Sequence, residues 1–540
     1  MRKTWSQIVL QPGAMIGYLN GKIEALLNFF KSSGISFREL SNLTLIGAIV
    51  NIHFLANFSI SIDDEYAALR SDPGVWVGQG RWTTYLVERL FVPQPSVPFA
   101  PYILLIVSLA LSYSLLIRIH GFKVNWKTYL CYPIFAGFPT WWFISEFYAN
   151  TPAVALGVLL TCGSAFLTYF KDAEDSIYSS AHIKSGFFAA CLLATAIGAY
   201  QSTLLLYLTI TLGTLMVRCI RSEQSAKAIW PLLIKRYVQI FLILFASAVL
   251  YAIIDFLAKR IMHIQSSDYI NGFVRLENFQ HPVRLLAGIC FRAWKVYSGS
   301  ATLYGIGGVK IAGVVLILAT ILIAAASKKK ILLNVVQWAI VLLMPFGLHF
   351  MSGADSMPFR SMLAISYVSW LMVILLVSYR NRIFATLGVL VTLVFQLQIM
   401  TLLSQYMAAA TITQAHDRLL AADLYRRIGE QSPDFDREKM IEIDVYGKKD
   451  VKLIYSDSWG SATQGSFFDW DNGNIHRMLA YMTVLGYTNV TTLPEEGRRA
   501  NTALFKDMPV WPAQGSVKLV GKLYLIKLSK NPDPVHKELN

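Results

Sequence analysis

Uncharged, mostly apolar stretches of about twenty residues recur along the first three quarters of this chain, and they constrain its fold more than any other feature. Crossing the hydrocarbon core of a bilayer takes roughly 20 such residues at about 1.5 Å of rise each, and fewer where a helix is buried among others. Lipid offers no partner to backbone N–H and C=O groups, so each crossing segment must satisfy them internally as a helix. Candidate spans lie near residues 41–62, 100–118, 129–146, 152–170, 185–199, 202–220, 237–259, 309–326, 331–351, 361–379 and 383–407. The run from 185 to 220 is too long for one helix, and Gly198-Ala199-Tyr200-Gln201-Ser202 is its polar break. The expected fold is mainly α, a polytopic transmembrane helical bundle of about eleven spans.

Composition points the same way. Charged residues make up 15% of the chain, against about 25% in a soluble protein. The formal net charge of +15 would suggest a nucleic-acid partner in a soluble chain. Here Lys and Arg gather in short turns at 118–127, 171–184, 218–236, 328–330 and 380–382, while the alternate connections are longer and hold the acidic clusters. That asymmetry is the positive-inside pattern, so orientation accounts for the basic excess and no nucleic acid is expected. The N-terminus falls inside and, after an odd number of spans, the C-terminus outside. The cysteines include no C-x-x-C and read as small hydrophobes.

Three regions follow. Over residues 1–37, Ile16, Leu19, Ile23, Leu26, Leu27 and Phe30 recur at helical spacing with charges between them, which predicts an amphipathic helix lying on the cytoplasmic membrane surface. Residues 38–409 hold the spans. From 410 to 540 the composition shifts toward a small α/β domain, with helices over 421–428 and 475–485, a strand over 452–455 and a strand pair over 517–528 turning at Gly521.

Chemistry concentrates at the outer ends of the spans. Asp63-Asp64-Glu65 follows the first span, with Arg70, Asp72 and Gly78-Gln79-Gly80-Arg81-Trp82 in the same loop. A second carboxylate, Glu146, ends the third span beside Trp141 and Trp142, in the same compartment. Carboxylates at this depth are costly when buried unpaired; the bland alternative is a solvated helix end. Tryptophans here ordinarily form an interfacial belt, and their flat faces also stack on sugar rings. A sugar-transfer site needs one carboxylate to take a proton from the acceptor hydroxyl and cations to stabilise a leaving phosphate. Arg275, Arg284, Arg292, Lys295 and Arg360 lie outside, where basic residues are disfavoured, in contact with lipid head groups or with a phosphate-bearing lipid substrate.

Other motifs carry little. Asp469-Trp470-Asp471-Asn472-Gly473-Asn474 has its glycine at the fifth position instead of the sixth of a calcium loop, and reads better as an Asn-Gly turn. No P-loop is present, and no histidine spacing demands a metal.

The acidic pair followed by Gly80-Arg81-Trp82, the Tyr200-Gln201 turn and Gly465-Ser466-Phe467-Phe468-Asp469 occur in an order that resembles the serotype-converting O-antigen glucosyltransferases of bacteria and their phages. The resemblance covers most of the chain and implies a multi-spanning GT-C glycosyltransferase of the bacterial inner membrane. Such an enzyme moves a sugar, usually glucose, from a polyprenyl-phosphate donor to lipid-linked O-antigen or lipopolysaccharide on the periplasmic side, downstream of a separate donor synthase and flippase. It also implies a base within Asp63-Asp64-Glu65. Successive helical residues point about 100° apart, so the three cannot all face one substrate; Asp64 is favoured, then Asp63. Glu146 is expected to position acceptor or base. Arg81, Arg292, Lys295 and Arg360 are expected to hold the donor phosphate. Trp82, Trp141, Trp142, Tyr200 and Gln201 are expected to contact sugar. No cofactor is required by the pattern, although the carboxylates are chemically able to hold a divalent cation. The alternatives are a transporter or flippase of lipid-linked sugars, or a polysaccharide polymerase or ligase.

Overall fold

The computed structural model describes residues 34–96, 99–169, 180–267, 275, 279–304, 307–327, 330–353, 357–454, 462 and 464–537. The surface helix expected over 1–37 therefore lies outside the described residues up to its last few. The chain is mostly helical, and helices Ala100–Ile119, Thr151–Tyr169, Thr203–Arg221, Ala226–Met262 and Arg382–Gly429 are long and apolar enough to cross a membrane. Shorter apolar helices occupy Ile183–Ala199, Ile311–Ala326, Ile331–Phe346 and Ala364–Val377.

Two kinds of helix stand out. Along Ala226–Met262, Phe241, Leu242, Phe245, Val249, Ile253 and Phe256 are all exposed, an apolar surface suited to contact with lipid on a helix long and apolar enough to cross a membrane. Ala364–Val377 is instead buried almost throughout. Its Trp370 indole donates to the Tyr113 hydroxyl at 3.0 Å, and its Tyr367 hydroxyl meets His120 Nε2 at 2.8 Å, so its polar atoms are paired inside the bundle. This is a protein with lipid-facing and protein-buried apolar helices: a membrane protein.

Several spans differ from expectation. The stretch at 129–146 is two helices, Trp126–Ala136 and Pro139–Ser145. Pro139 cannot donate to the preceding turn, so the ladder stops at Gly137. The first span breaks at Asn51, whose side-chain amide donates to the Gly47 carbonyl at 2.9 Å, and ends at Ala56. The run from 331 ends its α-helix at Leu343, ahead of Pro345. The polar break in 185–220 falls at Tyr200–Ser202, between Ser180–Ala199 and Thr203–Arg221.

The last helix before the sheet is longer than expected. Arg382–Gly429 has 48 residues, about 72 Å at 1.5 Å per residue, so the helix anticipated over 421–428 is the far end of the same continuous helix that carries the last apolar stretch. Asn381 caps its start through Ile383 N and Phe384 N. Beyond it, β1 (Ile441–Tyr446), β2 (Val490–Thr492), β3 (Val517–Val520) and β4 (Leu523–Lys527) form one sheet in the order β2-β1-β4-β3. β1 runs parallel to both neighbours and β3–β4 is an antiparallel hairpin turning at Gly521, whose φ of +64° suits glycine. No strand forms over 452–454, and Tyr455 lies outside the described residues; the strand in this region is β1.

Candidate active site

The acidic triplet sits where the chain leaves its first helices and turns back. Asp63 has φ of +81°, a left-handed conformation uncommon for a residue with a side chain, and helix Asp64–Leu69 starts directly after it. The turn sends the three carboxylates to different places. Asp63 Oδ1 and Glu65 Oε1 both accept from Arg477, at 2.8 and 2.5 Å, and Asp471 Oδ2 accepts from the Arg477 Nε at 2.6 Å. Asp64 instead turns inward. It is 2% exposed, and its Oδ2 accepts from the Ser61 N–H at 3.0 Å. Burial holds the Asp64 carboxyl well above the usual carboxylate range, with the neighbouring Glu65 and Asp63 charges adding to it against the Ser61 N–H. Burial likewise pushes Glu65 up to about 7, against the pull of Arg477.

Asp64 forms part of the wall of a cavity of about 330 Å³, a volume at the lower end for a small-molecule site. Asp63, Arg70, Arg81, Tyr200 and Arg360 line it too. Each cation is fixed differently. Arg81 lies over the Tyr200 ring at 5.1 Å and the Trp76 ring at 5.7 Å, and Arg360 over the Phe147 ring at 4.7 Å. Arg70 donates through Nε to Glu88 Oε1 at 2.8 Å, and the Trp76 indole donates to the other Glu88 oxygen at 2.6 Å. One more lining group is conspicuous: Asn150 is 6% exposed and its Oδ1 is a buried acceptor without a hydrogen-bond partner. A buried amide oxygen left unmatched costs about 1–3 kcal/mol, a cost that a donor hydroxyl in the cavity would remove.

The structure thus brings Asp63, Asp64, Arg81, Tyr200 and Arg360 to one cavity from four distant segments. The remaining expected residues stand elsewhere. Glu65 is an anchor for Arg477, buried on the far side of the turn. Glu146 is 1% exposed and accepts from the Tyr406 hydroxyl; it adjoins the cavity through Ile144 and Phe147 without lining it. Gln201 donates to the Gln79 carbonyl at 2.9 Å, while the Tyr251 hydroxyl donates to the Gly80 carbonyl at 3.0 Å, so both brace the turn that presents Arg81. Gly80 has φ of +71°, and an added Cβ would come within 2.5 Å of the Tyr251 hydroxyl.

Trp76 lines the cavity, but the three tryptophans expected at the sugar, Trp82, Trp141 and Trp142, do not. Trp82 packs on Gly198, leaving no room there for a Cβ. Trp141 donates to the Phe135 carbonyl at 2.6 Å, and Trp142 lies 5.8 Å from the Tyr406 ring. Arg292 is 5% exposed on helix Pro282–Tyr297, and Lys295 lies over Phe291 at 4.6 Å; neither lines the cavity. Among the described residues, no group of three or more His, Cys, Asp or Glu is placed to hold a metal ion.

Sequence reasoning missed Glu88, Trp76, Asn150 and Arg477. Glu88 and Arg477 read as ordinary helix charges, and nothing local marks a partner 18 residues away for Arg70 or over 400 residues away for Asp63. The stretch Gly465-Ser466-Phe467-Phe468-Asp469 also gains a role. Ser466 Oγ and the Phe467 N–H donate to buried Asp417 at 2.8 and 2.7 Å, and Gln414, one turn earlier on the same helix, donates to Ser59 Oγ at 2.6 Å. The Asp469–Asn474 segment is a left-handed turn at Asp471, Asn472 and Gly473, with Asp469 paired to Lys448 at 2.7 Å and Asp471 to Arg477.

Searches of curated proteins and of solved structures return no match. Residues 52–377 match the family described as glucosyl transferase GtrII. That range takes in Asp63, Asp64, Arg81, Asn150, Tyr200 and Arg360 and ends before Arg477. It covers more than half of the 540 residues, and the chain belongs to the GtrII glucosyl transferase family.

Proposed function

We propose that this glucosyltransferase moves glucose from a polyprenyl-phosphate donor to lipid-linked O-antigen at the periplasmic face of a bacterial inner membrane, as a GT-C enzyme with Asp64 as its base. The observation that carries the reading is the meeting of Asp64 with Arg81 and Arg360 around one small cavity. Asp64 takes the proton of the acceptor hydroxyl while that oxygen bonds to the anomeric carbon. The bond from that carbon to the donor phosphate oxygen breaks, and polyprenyl phosphate leaves as an anion without needing a proton. Arg81 and Arg360 offset the charge it gains, with Arg70 fixed by Glu88 beside them. One displacement inverts the anomeric carbon.

Asp64 is buried in the cavity wall, whereas Asp63 and Glu65 are both engaged by Arg477, which favours Asp64 over the other two. Asn150 and Tyr200 face the transferred sugar, and Glu146 acts from behind the cavity wall on acceptor placement. Residues 410–540 lie outside the membrane and close the acid turn through Arg477. The donor arrives made and already flipped, the task of a separate synthase and flippase.

Purified protein incubated with polyprenyl-phosphate glucose and lipid-linked O-antigen tests this directly. Release of polyprenyl phosphate that depends on acceptor is expected. Donor moved across a vesicle membrane without bond cleavage would instead mark a flippase. Arg81→Ala and Arg360→Ala should each raise the donor KM about 10–100-fold, or about 1.4–2.8 kcal/mol, with the acceptor KM little changed; equal effects on both would count against the phosphate role.

A further inference from the structure

A second cavity, of about 1010 Å³, lies where the end of helix Arg382–Gly429 meets the turn after helix Ile475–Val484. Tyr425, Phe435 and Tyr487 line it, together with Arg426, Glu430 and Arg437. The three rings form one cluster, with Tyr425 4.5 Å from Tyr487 and 5.7 Å from Phe435. The Tyr425 hydroxyl is tied to Asn489 Oδ1 at 2.7 Å, which fixes that ring, while Arg426 and Glu430, paired with each other, and Arg437 are exposed. The half-buried Phe435 and Tyr487 rings, backed by buried Tyr425 and flanked by charged groups, match a sugar chain, whose rings offer apolar C–H faces and an edge of hydroxyls. A trough this polar is a poor match for an apolar peptide or a lipid tail.

Two helices measure its distance from the acid turn. Gln414 and Arg418 contact Ser59 and Phe58 just ahead of Asp63, and Arg426 lies eight residues beyond Arg418, about 12 Å along the helix. Arg477 holds Asp63 at the start of its helix, and Leu485 borders the trough eight residues later, again about 12 Å away. On the long helix the order is apolar span, acid-turn contacts, trough. A glycan that starts at the membrane and passes the acid turn reaches the trough next.

We infer that this trough binds the carbohydrate chain of the acceptor, a few sugars away from the hydroxyl that reacts; the inference rests on the glycosyl-transfer reading above. None of the lining residues falls within 52–377, so the subsite belongs to the part of the chain beyond the family match.

Titration of the purified full-length protein with delipidated O-antigen of the host strain tests the inference. Wild type and Asp64→Asn should bind it alike. Tyr487→Ala should weaken binding at least about 10-fold and raise the acceptor KM by a similar factor, with donor KM and the slow release of polyprenyl phosphate to water unchanged. Arg437→Ala, at an exposed position that folding tolerates, should show the same split to a smaller degree. Acceptor KM and glycan binding unchanged in both variants would overturn the subsite, as would a wild-type protein that transfers glucose without binding the free glycan. Glycan binding without any transfer would leave the trough standing and remove the catalytic reading instead.

Discussion

Two clusters of charged side chains stand out in this molecule, and they differ in whether they close on themselves. In the C-terminal sheet region, Arg498 donates to Asp444 at 2.8 Å and reaches Asp533 at 3.4 Å, and His536 contacts Asp533 at 2.6 Å and Asp444 at 3.4 Å. All four side chains are at most 4% exposed, and the charges answer one another with no space between them. Around the acid turn, buried Asp64 and half-buried Arg70, Arg81 and Arg360 instead frame a cavity of about 330 Å³. A closed cluster has spent its electrostatics on holding β1 to the chain's last residues. An open one keeps fields directed at whatever enters.

Substitutions should separate the two. Asp64→Asn removes the base and retains the side chain's size, so kcat should fall about 10³-fold, within the range for general-base loss, with unfolding unaffected or shifted upward. A kcat within a few-fold of wild type would make the cavity another closed cluster. Arg498→Ala should do the opposite. It leaves Asp444 and Asp533 buried without their cation, a loss of about 3–5 kcal/mol visible in thermal unfolding, while the folded fraction keeps its donor and acceptor KM.

Arg477 links the two regions and gives the intermediate case. Its guanidinium is held strongly protonated: burial opposes the charge, and hydrogen bonds and charge from Asp471, Asp63 and Glu65 outweigh that. Arg477→Ala should lower kcat about 10-fold, about 1.4 kcal/mol, by loosening the turn that aims Asp64, and Arg477→Lys should recover part of it. A change in Tm alone would make the clamp structural only.

The smallest effect concerns pH. Burial disfavours the His536 cation, but hydrogen bonds and charge from Asp444 and Asp533 outweigh it and raise its pKa above the ordinary 6.5. The folded state therefore holds a proton that the unfolded chain releases, so the stabilisation is complete below about 6.5 and is lost as pH rises through the raised value. Asp533 is lowered, its burial overcome by His536 and Arg498, and its contribution is present above the ordinary range and lost in acid. Tm should decline from pH 6 toward pH 8.5 at roughly constant ionic strength, and His536→Gln should flatten that slope. An unchanged slope would place the titrating group elsewhere.

The open cluster was the more legible of the two. Asp63, Asp64, Arg81 and Arg360 break the composition rule for the outer end of an apolar helix, and Tyr200 breaks an apolar run, so each is visible without coordinates. The sequence ranked Asp64 ahead of Asp63 from helix geometry alone; the engagement of Asp63 and Glu65 by Arg477 was not readable, because it depends on one left-handed residue, Asp63, and on an arginine 414 positions away. Trp141 and Trp142 were ambiguous in sequence because an aromatic pair at a span end fits belt, stacking and core alike; in the structure both are buried away from the cavity lining, and the Trp141 indole donates to the Phe135 carbonyl. Asn150 carries no signal in sequence, since an asparagine before a helix reads as a cap. In the sheet region the hairpin around Gly521 was readable from local turn chemistry, whereas β1 was misplaced because its partners lie about 50 and 80 residues downstream.

The central claim is that a carboxylate at position 64 takes the acceptor's proton. Replacing it with a small side chain and returning the carboxylate from solution tests that most directly. Asp64→Ala should bind donor normally, lose acceptor-dependent release of polyprenyl phosphate, and regain part of it as formate is added, whereas Arg81→Ala should not respond to formate. Turnover of Asp64→Ala near the wild-type rate without formate would contradict the account.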